Sequence, residues 1–267
     1  MPADFLYENP PLVEVIAEVR WKLQPIQSLP NAAIDPHFSA FASDLTSLLD
    51  AEGFQTVQTV VPAEVPLELI PNRVVKRFRQ AADRWPVFQA GPGIFTVNVV
   101  PPYNGWAEFR TILAHGVDLL FKSYPLPEKY LAVSETRLKY IDAFSTKHNY
   151  DELLPFIRDH FSIKIDLPGE IIESATEQKA ITLASTVSFP LRERGSSSGI
   201  IRIASGKHHD VDAAILELTA LDKECGSSPD AIIEWMDFAH SMVRGWFQVV
   251  ANDKLKQLMG PVHEIGT

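Results

Sequence analysis

Five charged residues lie where two extended segments could bring them together. Glu14, Glu18 and Arg20 fall on one face of the run from Leu12 to Trp21, and Glu135 and Arg137 repeat the Glu-x-Arg spacing in the run from Lys129 to Ala143. Alternate residues of a strand point to the same side, so each triplet presents a carboxylate beside a guanidinium. Two kinds of chemistry fit. Paired carboxylates act as general acid and base when their surroundings separate their pKa values. The other reading, a structural ion-pair ladder or a partner-binding surface, is the commoner fate of such networks and the one expected here. A second cluster, Lys207-His208-His209-Asp210-Val211-Asp212, contains metal-ligating types. Adjacent His208 and His209 would point to opposite sides of a strand, and no distant His stands at ligand spacing, so a polar hairpin turn is expected. The phosphate-loop and G-x-S-x-G patterns are missing, and Cys225 is the single cysteine, which removes an internal disulfide and a Cys-rich zinc site. No cofactor and no metal is expected.

The elements that must position these residues are legible from spacing. Pro10 and Pro11 force an extended approach to a β-branched run whose second face, Val13, Val15, Ala17, Val19 and Trp21, is fit for burial. Asp35-Pro36 has the form of a helix N-cap followed by Pro at N1, with Phe38, Phe41, Leu45, Leu48 and Leu49 at helical spacing and a stop near Gly53. Strands are predicted over 54–61, 74–79, 85–89 and 94–99, the last two a hairpin across Gly91-Pro92-Gly93. Asn104 can cap a helix carrying Trp106, Phe109, Leu113, Val117 and Leu120. The second half repeats the order: the strand from Lys129 to Ala143, a short helix capped by Asn149, strands at 161–165, 179–189, 200–204 and 214–221, and a long helix after Ser228-Pro229. On that helix Ile232, Trp235, Phe238, Ala239, Met242, Trp246 and Val250 form the expected buried stripe. The two halves, 1–126 and 127–267, define an α+β fold: a duplicated strand-helix-four-strands-helix unit, with a curved antiparallel sheet and helices packed on one face. Both halves pack into one globular unit. Glu18-Val19-Arg20 echoes Glu135-Thr136-Arg137, and Trp106/Phe109 echo Trp235/Phe238.

Three segments carry a family resemblance. Asn9-Pro10-Pro11-Leu12-Val13-Glu14, Tyr103-Asn104-Gly105-Trp106-Ala107-Glu108-Phe109 and Arg137-Leu138-Lys139-Tyr140-Ile141-Asp142 resemble motifs of a sporadically distributed bacterial family of unknown function. Lys139 and Asp142 stand where that family has Arg and Asn. The resemblance implies an accessory gene, in a stress or phage-defence setting, and brings no chemistry with it. The element order is also similar to the saddle of the TATA-box-binding protein. That likeness implies that the two first strands meet antiparallel at the centre. Glu18 then faces Arg137 and Arg20 faces Glu135, while Val15, Ala17 and Val19 face Tyr140, Leu138 and Thr136 on the other side.

Composition bounds the function. The 267 residues are 46% hydrophobic and carry a formal net charge of −10, with a pI near 5.3. An acidic chain of this kind lacks the basic field of a non-specific nucleic-acid binder. No signal-peptide pattern and no membrane-length apolar run is evident, so a cytoplasmic location is expected. The expected function is a non-enzymatic interaction or ligand-binding protein whose partner is another protein or a second copy, with Glu14, Glu18, Arg20, Glu135 and Arg137 as binding residues. Nucleic acid and membrane are not expected partners. The alternatives are a metal-dependent hydrolase or nucleotide-processing enzyme working in a central carboxylate/Arg groove, and a nucleic-acid binder using Arg77, Arg79, Arg192 and Arg194.

Overall fold

The computed structural model describes residues 5–165, 170, 182–192 and 194–264. In chain order the elements are β1 (Phe5–Tyr7), β2 (Leu12–Trp21), β3 (Gln24–Pro25), β4 (Ala33–Ile34), α1 (Phe38–Ala51), β5 (Thr56–Thr59), β6 (Lys76–Arg79), β7 (Val87–Gly91), β8 (Ile94–Val99) and α2 (Trp106–Ser123). They continue with α3 (Pro127–Tyr130), β9 (Val133–Phe144), α4 (Leu153–His160), β10 (Ala184–Pro190), β11 (Ser197–His208), β12 (Val211–Asp222), α5 (Pro229–Val250), α6 (Asp253–Met259) and β13 (Val262–Glu264). The fold is α+β. A curved antiparallel sheet of nine strands runs β10-β11-β12-β9-β2-β8-β7-β6-β5, and the helices pack on one of its faces.

The two first strands pair antiparallel at the centre of that sheet. Glu18 lies opposite Arg137, Arg20 opposite Glu135, and Val15, Ala17 and Val19 opposite Tyr140, Leu138 and Thr136, the register expected from the repeated triplet. Side chains alternate, so this register sorts both faces at once. Val15, Ala17, Val19, Trp21 and Leu138 are buried beneath the helices, whereas the charged residues lie on the opposite, open face. One irregularity matters below. Leu12 pairs with Asp142 but Glu14 pairs with Ile141, so β2 carries one extra residue at Val13. Such a bulge bends a strand and re-aims its neighbours.

The helix-side core is anchored by a buried polar contact. Trp21 Nε1 donates to Asp35 Oδ2 (2.9 Å) and Tyr124 OH donates to Asp35 Oδ1 (2.9 Å). Asp35 also accepts the His37 amide (3.0 Å), but His37, not Asp35, occupies the cap position of α1. Asn104 and Asn149 are likewise not caps. Gly105 takes the position before α2 with φ +98°, a conformation that suits glycine, while Asn104 bonds Glu108. Asn149 closes a 3-10 turn, and Glu152 precedes α4. Ser228 does cap α5, accepting the Ala231 amide with Pro229 at N1.

Two expectations change in the second half. Residues 161–165 form no sheet strand. Phe161 makes an isolated bridge to Ala251, and the Ser162 amide donates to Val250 O, because the Phe161 ring packs against Phe144 and Phe156 and draws the backbone to the end of α5. Residues 179–181 of the next predicted strand lie outside the described residues, and the strand is seen from Ala184. On α5 the buried stripe is Ile232, Trp235, Met236, Ala239, His240, Val243 and Val250. Phe238, Met242 and Trp246 are only partly buried. The Trp246 ring packs edge-on against Phe189 (5.3 Å), over Gly199, where a Cβ would come within 2.6 Å of both rings.

Candidate functional site

The open face carries all five predicted site residues and brings four of them into contact. Glu18, Arg20, Glu135 and Arg137 form a square of charges. The closest contacts run along each strand: Arg20 Nε to Glu18 Oε1 is 2.6 Å and Arg137 Nη2 to Glu135 Oε1 is 2.8 Å. The cross-strand contacts are longer, 3.9 Å for Arg20–Glu135 and 3.7 Å for Arg137–Glu18. Long guanidinium side chains reach carboxylates two residues away as readily as those directly opposite. Glu14 stands apart from the square and accepts from Asn98 Nδ2 (2.8 Å). Asn98 belongs to a polar row through Thr96, Gln89 and Arg77 on β8, β7 and β6. On the other side Lys139 and Arg202 both meet Glu217. Within this face Glu18, Glu135 and Glu217 each have a basic neighbour and Glu14 has the neutral amide of Asn98, which is the arrangement of a structural ladder or a contact surface.

The other sequence candidates do not converge. His209 and Asp210 are the two residues of the tight turn joining β11 and β12, both with positive φ, a geometry that matches the twist of a two-residue hairpin. Among the described residues no group of three or more His, Cys, Asp or Glu could hold a metal ion. Arg77 and Arg79 lie on the open face of β6, whereas Arg194 lies over Phe238 and near Glu234 on α5.

A different site emerges on the helix face of the same two strands. A cleft with a cavity volume of about 110 Å³ is lined by Tyr7, Pro10, Pro11, Leu12, Tyr103 and Tyr140, together with Asp142 and, from α5, His240, Val243, Arg244 and Phe247. The three motif segments meet here. Pro10, Pro11 and Leu12 come in at the bulge, Tyr103 precedes α2, and Tyr140 and Asp142 rise from β9. Tyr103 and Tyr140 share a hydrogen bond (3.1 Å), and Tyr140 OH is 2.9 Å from His240 Nδ1. The His240 ring stacks flat on Trp106 (4.4 Å, 2°), and Trp106 Nε1 donates to Asp237 (2.8 Å), which also binds Arg110. These contacts tie α2, β9 and α5 together around the cleft.

Asp142 is the chemically unusual member. It is 4% exposed, and its carboxyl has no hydrogen bond or ion pair among the described residues. Burial alone pushes its pKa up to about 7, because a desolvated carboxylate without a partner favours its neutral form. A mostly apolar cleft with a few convergent polar groups and one strongly perturbed acid has the general form of a ligand site. The sequence marks Tyr103 and Asp142 only as motif positions, and Tyr140 also as a register partner of Val15; His240 and Arg244 were missed. Their signal was present: 240, 243, 244 and 247 lie on one helical stripe, mixing polar with apolar residues. Comparison with known protein families, curated proteins and solved structures gives no match.

Proposed function

We propose that this chain is a non-enzymatic binding protein whose ligand site is the cleft between β2, β9 and α5. One observation carries the reading. Three motif segments that are far apart in sequence line one apolar cleft, on whose floor a buried carboxyl stands without a partner. The bacterial accessory-gene setting rests on the family resemblance alone. The enzyme alternative is less well supported, since the carboxylates of the central groove are occupied by Arg20 and Arg137. The test is an NMR screen of small apolar and aromatic compounds against the wild type and Leu12→Trp, which fills the cleft from its half-buried rim. Binders lost in the variant, at unchanged melting temperature, support the site. Compounds that bind both proteins equally, or no binder at all, overturn it.

A second reading keeps the open sheet face as a contact surface for another protein or a second copy. Arg20, Arg77, Arg79, Arg137, Lys139 and Arg202 share that face with Glu14, Glu18, Glu135 and Glu217, a locally cationic patch on an acidic chain. Complementary charge steers association more than it adds affinity. Mass measurement and pull-down at native concentration address it: a partner or dimer lost in Arg77→Glu/Arg202→Glu supports it, and a monomer without partners opposes it. Nucleic acid is not the proposed partner, given the net charge of −10.

A further inference from the structure

We infer that the cleft takes a small organic amine with an apolar or aromatic body, its ammonium held by Asp142 on the strand floor; this rests on the cleft being the ligand site. Asp142 is buried, lines the cleft and lacks a partner of its own among the described residues. A buried carboxylate is tolerated only when a cation or several donors satisfy it. The other walls suit a cation with an apolar tail. Tyr7, Tyr103, Tyr140 and Phe247 bring aromatic rings to the cleft, and ring faces attract ammonium groups. Leu6, Leu12, Leu218 and Val243 supply apolar surface for the rest of the molecule.

Among the described residues the ionisable groups lining the cleft are Tyr7, Tyr103, Tyr140, Asp142, His240 and Arg244. Asp142 is the one carboxyl among them. Arg244 reaches the same cleft from α5 and has a partner of its own. Burial pushes the Asp142 pKa up to about 7, so its protonated form is populated at neutral pH. Arrival of an ammonium favours the carboxylate and sends that proton to the buffer. The competing occupant is a neutral acceptor, to which protonated Asp142 would donate.

Isothermal titration calorimetry of the full chain separates these cases. The probes are phenethylamine, phenylalanine and 2-phenylethanol, at pH 6, 7 and 8, in two buffers of different ionisation enthalpy. An amine should bind, with affinity rising several-fold from about pH 6 to 8 and with protons released to the buffer. Asp142→Asn keeps the size of the side chain and loses the charge, and should weaken amine binding about tenfold or more. Phenylalanine, which brings its own carboxylate towards Asp142, should bind more weakly than phenethylamine; tighter binding would overturn the plain amine. If 2-phenylethanol binds as tightly as the amine, or Asp142→Asn leaves amine binding unchanged, the amine class is overturned while the cleft stands. If none of the three binds, the amine class falls, and the NMR screen with Leu12→Trp decides whether the cleft falls with it.

Discussion

Strand β9 holds two acidic residues seven positions apart, Glu135 and Asp142, and the fold treats them in opposite ways. Glu135 points to the open face, with Arg137 at 2.8 Å and Arg20 at 3.9 Å. Asp142 points under the helices, 4% exposed, and burial pushes its pKa up to about 7. The odd spacing of seven puts them on opposite sides of the strand. A carboxylate beside guanidinium groups and partial solvent adds little to stability, for or against. A carboxyl in an apolar cleft favours its neutral form and resists ionisation. Glu135 thus has opposite charges within reach although its Oε1 makes no hydrogen bond, whereas Asp142 has neither charge nor donor beside it among the described residues.

The largest expected effect tests whether the helix face carries the stability. Trp235 is fully buried on α5. Trp235→Ala should cost about 3–5 kcal/mol, and Phe238→Ala, on the partly buried flank, clearly less. Thermal melts of the two variants check this; equal losses would mean that the buried stripe of α5 is wrongly assigned.

Asp142 comes next, and its sign can be worked out. Its folded pKa of about 7 lies above the unfolded value near 3.8. Its contribution to stability is therefore fully present below about pH 4, is lost as pH rises through 7, and stays lost above. Asp142→Asn removes this dependence. The variant should match the wild type near pH 4 and exceed it by about 2–4 kcal/mol at pH 8.5. Denaturant titrations at the two pH values provide the check. A wild type whose stability does not fall between pH 4 and 7 relative to the variant would mean that Asp142 is charged and partnered.

The smallest effect belongs to the open face. Arg137→Glu should destabilise by about 1 kcal/mol, and adding Glu18→Arg should restore part of that loss. A coupling of roughly 0.2–1 kcal/mol is expected from a double-mutant cycle. Because Arg137 also touches Glu135, a parallel cycle with Glu135→Arg should give a coupling at least as large. No coupling in either cycle would remove the ladder as an energetic unit and leave it as a contact surface only.

Much of this protein follows from local pattern. The period of two in Leu12–Trp21, with Val15, Ala17 and Val19 on one side and Glu18 and Arg20 on the other, determines a half-buried strand. Once the likeness to the saddle brings two such strands together, the repeat of Glu-x-Arg suggests their register, since a one-residue slip would press charges into the core. The Ser228-Pro229 cap and the Pro92-Gly93 turn are equally local, because each depends on backbone preferences of adjacent residues. Tertiary structure alone decided the rest. Residues 161–165 have strand composition, yet the Phe161 ring and the end of α5 claim their backbone. Along α5 the larger side chains Phe238, Met242 and Trp246 outweigh His240 by composition, but His240 is buried because Trp106 stacks on it and Tyr140 bonds it. Asp142 differs from any other aspartate in the sequence only through what surrounds it. Its altered acidity comes from desolvation, a property of the packed neighbours from β2, β12 and α5, and no spacing rule along the chain encodes it.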